Sequence, residues 1–197
     1  MLHYTAMDCA AAALERLCDP RHEVSAHYLI GREGTLWQLV DEDRRAWHAG
    51  AGSWQGRADV NSRSIGIELD NTGAHPFPEP QMRVLDQLIA EIRGRWGIPA
   101  AGVIGHSDMA PGRKCDPGPR FDWARLERQG LAAAPRAPAA APDPDGFRGL
   151  AIAAGYPSNA PDEALLQAVR LRLRPHATGP LEPADVAALC APPSFFS

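Results

Sequence analysis

Asn61-Ser62-Arg63-Ser64-Ile65-Gly66-Ile67-Glu68-Leu69 decides the architecture. From Ser64 onward, Ile65, Ile67 and Leu69 alternate with Ser64, Gly66 and Glu68. Period two is the signature of a strand with one buried face, and it puts Glu68 on the side opposite the isoleucines. The period then changes. In Glu79–Trp96 the residues Met82, Leu85, Leu88, Ile89, Ile92 and Trp96 recur at three- and four-residue steps. That spacing predicts a helix with one apolar stripe, ended by Gly97 and Pro99. A strand followed by a helix of this length points to an α/β domain.

Working outward, Met1–Tyr4 reads as the end of a strand and Ala6–Cys18 as a helix stopping at Asp19-Pro20. Ser25–Ile30 and Thr35–Val40 read as strands joined through Gly31-Arg32-Glu33-Gly34. Val103-Ile104 reads as a short strand. Ser107–Pro119, with three prolines and two glycines, reads as a loop, and Phe121–Gln129 as a helix capped by Asp122. Residues 131–144 are nearly all Ala and Pro and are expected to form a linker. In 145–191 a stripe of Leu165, Leu166, Val169, Leu171 and Leu173, then Glu182–Leu189, predicts a compact three-helix unit. The expected fold class is α/β: a mixed central β-sheet flanked by helices over residues 1–130, plus a small C-terminal three-helix domain.

Composition excludes several function classes. The chain has 197 residues, 45% hydrophobic, enough to build a core. A formal net charge of −4 without a Lys/Arg stripe argues against nucleic acid as a partner. No apolar run approaches the roughly 18–20 residues of an integral membrane segment. The four cysteines show no CxxC spacing and read as free thiols in a reducing compartment. No signal-peptide pattern opens the chain, so a cytoplasmic location is expected. Only Met1 and Leu2 precede His3. A start further upstream is therefore also expected, and it would leave the periplasm or cell envelope open.

His3 stands at the end of the first expected strand, His106 at the exit of the last, and Asp116 in the loop that follows. Two imidazoles and a carboxylate are a donor set that zinc accepts tetrahedrally, with the fourth position left for water.

Five segments carry a resemblance. They are Leu2-His3-Tyr4-Thr5, Val24-Ser25-Ala26-His27-Tyr28-Leu29-Ile30, Ala46-Trp47-His48-Ala49-Gly50, Asn61 through Leu69, and Gly105-His106-Ser107-Asp108-Met109-Ala110-Pro111-Gly112-Arg113-Lys114-Cys115-Asp116-Pro117-Gly118. In this order they resemble the type 2 amidase family of zinc amidases and peptidoglycan recognition proteins. The resemblance implies an N-acetylmuramoyl-L-alanine amidase acting on peptidoglycan or (anhydro)muropeptides in cell-wall turnover or recycling. It implies one Zn2+ per chain held by His3, His106 and Asp116, with Glu68 as acid/base and Lys114 as a catalytic lysine. A monomer is expected. The alternative is a non-catalytic muropeptide-binding protein, a class that typically lacks the third ligand. A zinc hydrolase of another type is disfavoured by the absence of an HExxH motif from the sequence.

The chemistry suits these positions. A carboxylate on the polar side of its strand can move a proton between water and the leaving nitrogen. Lys114 and Asp116 are two residues apart, so in an extended loop both side chains point the same way, and the ammonium can face an oxyanion. Trp47 and His48 fall in a Gly-bounded loop that either walls the groove or packs inward. Asn61 and Arg63 are candidates for substrate carbonyls or carboxylates. His27 is either a contact at the site or a core histidine, and Cys115 is a bystander.

Phe147–Cys190 resembles, more weakly, the three-helix peptidoglycan-binding domain often appended to such amidases. Ala154-Gly155-Tyr156 and Leu166 through Pro175 carry that likeness. The middle stretch reads Ala168-Val169-Arg170-Leu171, without the family's usual aromatic and glutamine. Glycan binding and a purely stabilising role both stay open for it.

Overall fold

The computed structural model describes residues 1–138 and 146–190. Four strands form one mixed sheet: β1 (Leu2–Tyr4), β2 (Tyr28–Ile30), β3 (Leu36–Gln38) and β4 (Ile67–Leu69), in the order β1-β4-β2-β3. β4 runs parallel to both β1 and β2, and β3 closes the far edge antiparallel to β2. The alternation around Glu68 holds. Ile67 and Leu69 are buried against helix α2 (Glu79–Trp96), while Glu68 points to the other face.

Leu85, Leu88, Ile89 and Ile92 of α2 pack with Leu2, Ile30, Ile67 and Leu69 in the main core. Each such side chain removed from water contributes about 1.5–3 kcal/mol. The buried Gln81 amide donates to Ile30 O (2.8 Å) and Asp70 O (3.2 Å), fastening α2 to two strand ends. Trp96, expected on the apolar stripe, is 50% exposed, and its indole N–H donates to Glu42 instead.

Helix α1 spans Ala10–Cys18 and so begins later than expected. The amides of Thr5 and Ala6 are drawn to Leu69 O and Asn71 O, which carries the chain onward beside β4 before it can coil. Val103-Ile104 does not form a strand; a single bridge between Leu2 and Gly105 stands in its place. The expected loop 107–119 is overtaken at its start by a one-turn helix, α3 (His106–Met109). Asp108 closes that turn by accepting Gly105 N–H at 2.8 Å. Helix α4 (Trp123–Arg128) is capped by Asp122, as its position suggested.

Helices α5 (Phe147–Ala154), α6 (Asp162–Leu173) and α7 (Pro183–Cys190) follow. Leu165 and Val169 of the expected stripe are buried in their common core, and Leu166 and Leu173 pack at its edge. Leu171 is only half-buried, whereas Arg172 beside it is buried. The reason is that α6 is covered on a second side by α3 of the N-terminal part. Of the segment expected to be a linker, residues 139–144 lie outside the described ones, as do 145 and 191 of the expected C-terminal domain. Leu131 and Ala132 are buried in the main core, and Ala137 N–H donates to Leu189 O at 3.0 Å.

Candidate metal centre

Three elements deliver three donor atoms to one point. His3 comes from β1, His106 opens α3, and Asp116 follows in the loop. His3 Nδ1 lies 2.9 Å from His106 Nδ1 and 2.9 Å from Asp116 Oδ2, and the third edge, His106 Nδ1 to Asp116 Oδ2, is 3.1 Å. All three residues are buried, and together they could hold a metal ion.

The surroundings orient both rings. His106 Nε2–H donates to Ala49 O at 2.8 Å, which leaves Nδ1 as a bare lone pair. His3 Nε2 pairs with His48 Nδ1 at 3.0 Å, so His3 likewise turns Nδ1 toward the centre. The His48 ring faces Ser64 Oγ on its other side (3.4 Å), and Ser64 donates to Val60 O at 2.7 Å. Two imidazole lone pairs and a carboxylate meeting at about 3 Å repel one another unless a cation lies between them. A tetrahedral zinc with bonds of about 2.0–2.1 Å would need edges of about 3.3 Å, only a few tenths wider than those observed. The residues present therefore fit a zinc ion.

The electrostatics agree. Burial draws the His3 imidazole down to about 4, which keeps it a neutral ligand. Burial would raise the Asp116 carboxyl, but its close contacts with His106 and His3 outweigh that and hold the group below the usual carboxylate range. Burial, with the adjacent His3, also keeps His48 neutral.

Glu68 and Lys114 line the same cleft of about 380 Å³ as the three donors. Glu68 is the register partner of His3 across β4 and β1, so both side chains leave one face of the sheet. Its Oε2 is buried and has no hydrogen-bond partner among the described residues. Burial pushes its carboxyl up to about 8; the Asp116 charge adds to the rise and Lys114 opposes it.

The residues singled out for substrate divide. Trp47 stands in the cleft at 56% exposure, with the Arg45 guanidinium 4.3 Å from its ring centre. His48 also lines the cleft, but its nitrogen is spent on His3. Three positions depart from a substrate-contacting role. His27 is buried, and both ring nitrogens serve backbone: Nε2 meets Arg44 O (3.0 Å) and Nδ1 accepts Gly66 N–H (2.9 Å). It is a core histidine that joins β4 to the loop before His48. Asn61 Oδ1 accepts the amides of His48 (3.0 Å) and Ala49 (2.8 Å), which shapes the histidine loop from behind. Arg63 lines other hollows, away from the metal cleft.

Sequence reasoning missed Arg113 and Asp108. Arg113 Nη2 donates to Ala49 O (2.6 Å) and Ala51 O, supporting the carbonyl that His106 uses. Both lie inside the segment 105–118, yet nothing in their residue types separates a brace from a ligand. Cys115 is exposed, and its Sγ lies 3.1 Å from Tyr4 Oη at the cleft wall.

Residues 1–119 match the family model described as N-acetylmuramoyl-L-alanine amidase. The chain is 40% identical over 153 residues to N-acetylmuramoyl-L-alanine amidase AmiD of Escherichia coli, covering 70% of this chain and 54% of that protein. It is 47% identical over 103 residues to 1,6-anhydro-N-acetylmuramyl-L-alanine amidase AmpD of Enterobacter cloacae, covering 52% of this chain and 55% of that protein. The chain thus spans about half the length of the curated relatives it matches. Among solved structures, AmiD from E. coli in complex with anhydro-N-acetylmuramic acid-L-Ala-D-gamma-Glu-L-Lys superposes with a TM-score of 0.83 at 33% identity, covering 95% of this chain and 84% of that one. AmpDh3 from Pseudomonas aeruginosa, in complex with anhydromuramic pentapeptide, superposes with a TM-score of 0.79 at 32% identity, covering 95% and 87%.

Proposed function

The chain belongs to the N-acetylmuramoyl-L-alanine amidase family, and from that membership we propose that it is a zinc-dependent amidase. The bond it cuts joins the lactyl group of muramic acid to the first L-alanine of a stem peptide. One observation carries this reading: the donors of His3, His106 and Asp116 converge within 2.9–3.1 Å in the cleft that Glu68 and Lys114 also line.

Zinc, when bound by these three donors, supplies Lewis acidity and lowers the pKa of a water from 15.7 towards about 7. With the cation bound nearby the Glu68 carboxylate is favoured over its neutral form, and Glu68 takes a proton from the attacking water. The same proton goes to the alanine nitrogen as the C–N bond breaks, so the products are a lactyl carboxylic acid and an amine, which pass one proton between them to become carboxylate and ammonium. Lys114 offers its ammonium to the oxygen that gains negative charge. Trp47, exposed and lining the cleft, is our candidate for contact with the sugar or the peptide. A non-catalytic binding role gains no support, because all three donor positions are filled.

The substrate class we infer is a muropeptide ending in (anhydro)muramic acid, the kind of ligand named for the two solved relatives. The chain acts as a monomer in cell-wall turnover or recycling. No helix among the described residues is long and apolar enough to cross a membrane.

The test is incubation with a defined anhydro-muropeptide and, separately, with intact sacculi, with and without a chelator, followed by mass analysis. Release of a stem peptide beginning with alanine, abolished by the chelator and restored by zinc, is the expected result. Cleavage between sugars, or activity indifferent to the chelator, overturns the proposal.

A further inference from the structure

Tyr156 and Arg172 belong to the part of the chain whose sequence suggested glycan binding. Both point inward instead, at 2% and 5% exposure, and converge on Asp108. Tyr156 Oη–H donates to Asp108 Oδ1 at 3.3 Å, and Arg172 Nη1 stands 4.0 Å from Oδ2.

Asp108 is itself 1% exposed and closes the turn that begins with His106. Its Oδ2 accepts Gly105 N–H at 2.8 Å, and its own amide donates to Gly105 O at 3.2 Å. From the same turn, Ser107 N–H donates to Asp116 O at 2.9 Å. One turn of helix therefore sets two of the three donors. Among the described residues, Arg172 is the cation that faces Asp108, at 4.0 Å and without a hydrogen bond from its Nη1, and a carboxylate this deep is costly without a counter-charge. Arg172 is fixed in turn: Nη2 donates to Ala133 O at 2.8 Å, and its guanidinium carbon lies 3.3 Å from the Trp123 ring centre.

We propose that helices α5–α7 are a positioning element of the metal site, with Tyr156 and Arg172 holding Asp108 and, through it, the turn that aims His106 and anchors Asp116. This role rests on the zinc-amidase reading above. A contrast sits two residues away. Arg170 pairs with Asp185 of α7 at 2.7 Å, a buried contact between two C-terminal helices that does not include Asp108. Losing it removes a contact within those helices while the Tyr156 and Arg172 contacts to Asp108 stay in place.

The experiment measures zinc affinity by chelator competition, together with kcat and KM on a muropeptide, in the full chain and in Arg172→Met, Tyr156→Phe and Arg170→Met. Arg172→Met and Tyr156→Phe should weaken zinc binding about tenfold or more, the range for groups that orient metal ligands. They should lower kcat with KM little changed. Arg170→Met should melt earlier yet bind zinc like the parent. If Arg172→Met does not fold, Tyr156→Phe, which deletes one hydroxyl, carries the test alone. Parent-like zinc affinity in the Arg172 and Tyr156 variants, or an equal loss in Arg170→Met, overturns the positioning role. A parent chain that binds no zinc overturns the functional reading and this inference with it.

Discussion

His3 on β1 and Glu68 on β4 are direct register partners in adjacent parallel strands, so an expected metal ligand and the expected proton carrier leave the same face of the sheet side by side. The opposite face of the same strands, with Leu2, Ile67 and Leu69, is packed on α2. The candidate site is thus carried by strands whose other face lies in the main core.

From that pairing, Glu68→Gln should retain the metal, because Glu68 is not a donor, and should lose proton transfer. Turnover should fall by about 10²–10⁴ with zinc content unchanged. Metal analysis beside steady-state kinetics checks it, and undiminished turnover would move the base elsewhere.

A pH prediction follows from the same carboxyl. In the metal-free chain Glu68 titrates near 8 against an ordinary 4.5. Between those values the folded state holds a proton that the unfolded state has released, so stability falls as pH rises through this window. His3, drawn down to about 4 from 6.5, tilts stability the other way between those two values. The difference between parent and Glu68→Gln isolates the first contribution. In the variant, metal-free melting temperature should decline less from pH 5 to pH 8, and a parallel decline would refute the assignment.

Gly66 makes room for His48. A Cβ at that position would stand 2.5 Å from the His48 ring. Gly66→Ala should cost about 1–3 kcal/mol through forced repacking. It should also weaken zinc binding, since His48 orients His3. Denaturant melts with a chelator competition would show both effects, and a loss of stability with unaltered zinc affinity would detach His48 from the metal site.

Trp47 is exposed and can be truncated at little structural cost. Trp47→Ala should leave the melting temperature within a degree or two of the parent and raise KM with kcat nearly constant, the pattern of lost uniform binding. A KM equal to that of the parent would assign Trp47 to packing alone.

Much of this molecule was legible before any coordinate. The alternation around Glu68 and the stripe of α2 follow from local periodicity, which a single segment carries by itself, and the segment 105–118 names two of the three donors. What one segment could not say is which neighbour would claim a polar atom. In sequence Asn61 is a candidate for substrate, His27 is open between a site contact and a core histidine, and Arg113 has no role of its own, yet each meets backbone brought in from more than ten positions away. Arg172 falls in the stretch that resembles a peptidoglycan-binding domain, and it is buried over Trp123 and beside Asp108. Periodicity is set by the chain's own geometry; the fate of a hydrogen-bonding group is set by whatever packs against it, and only the tertiary structure decides that.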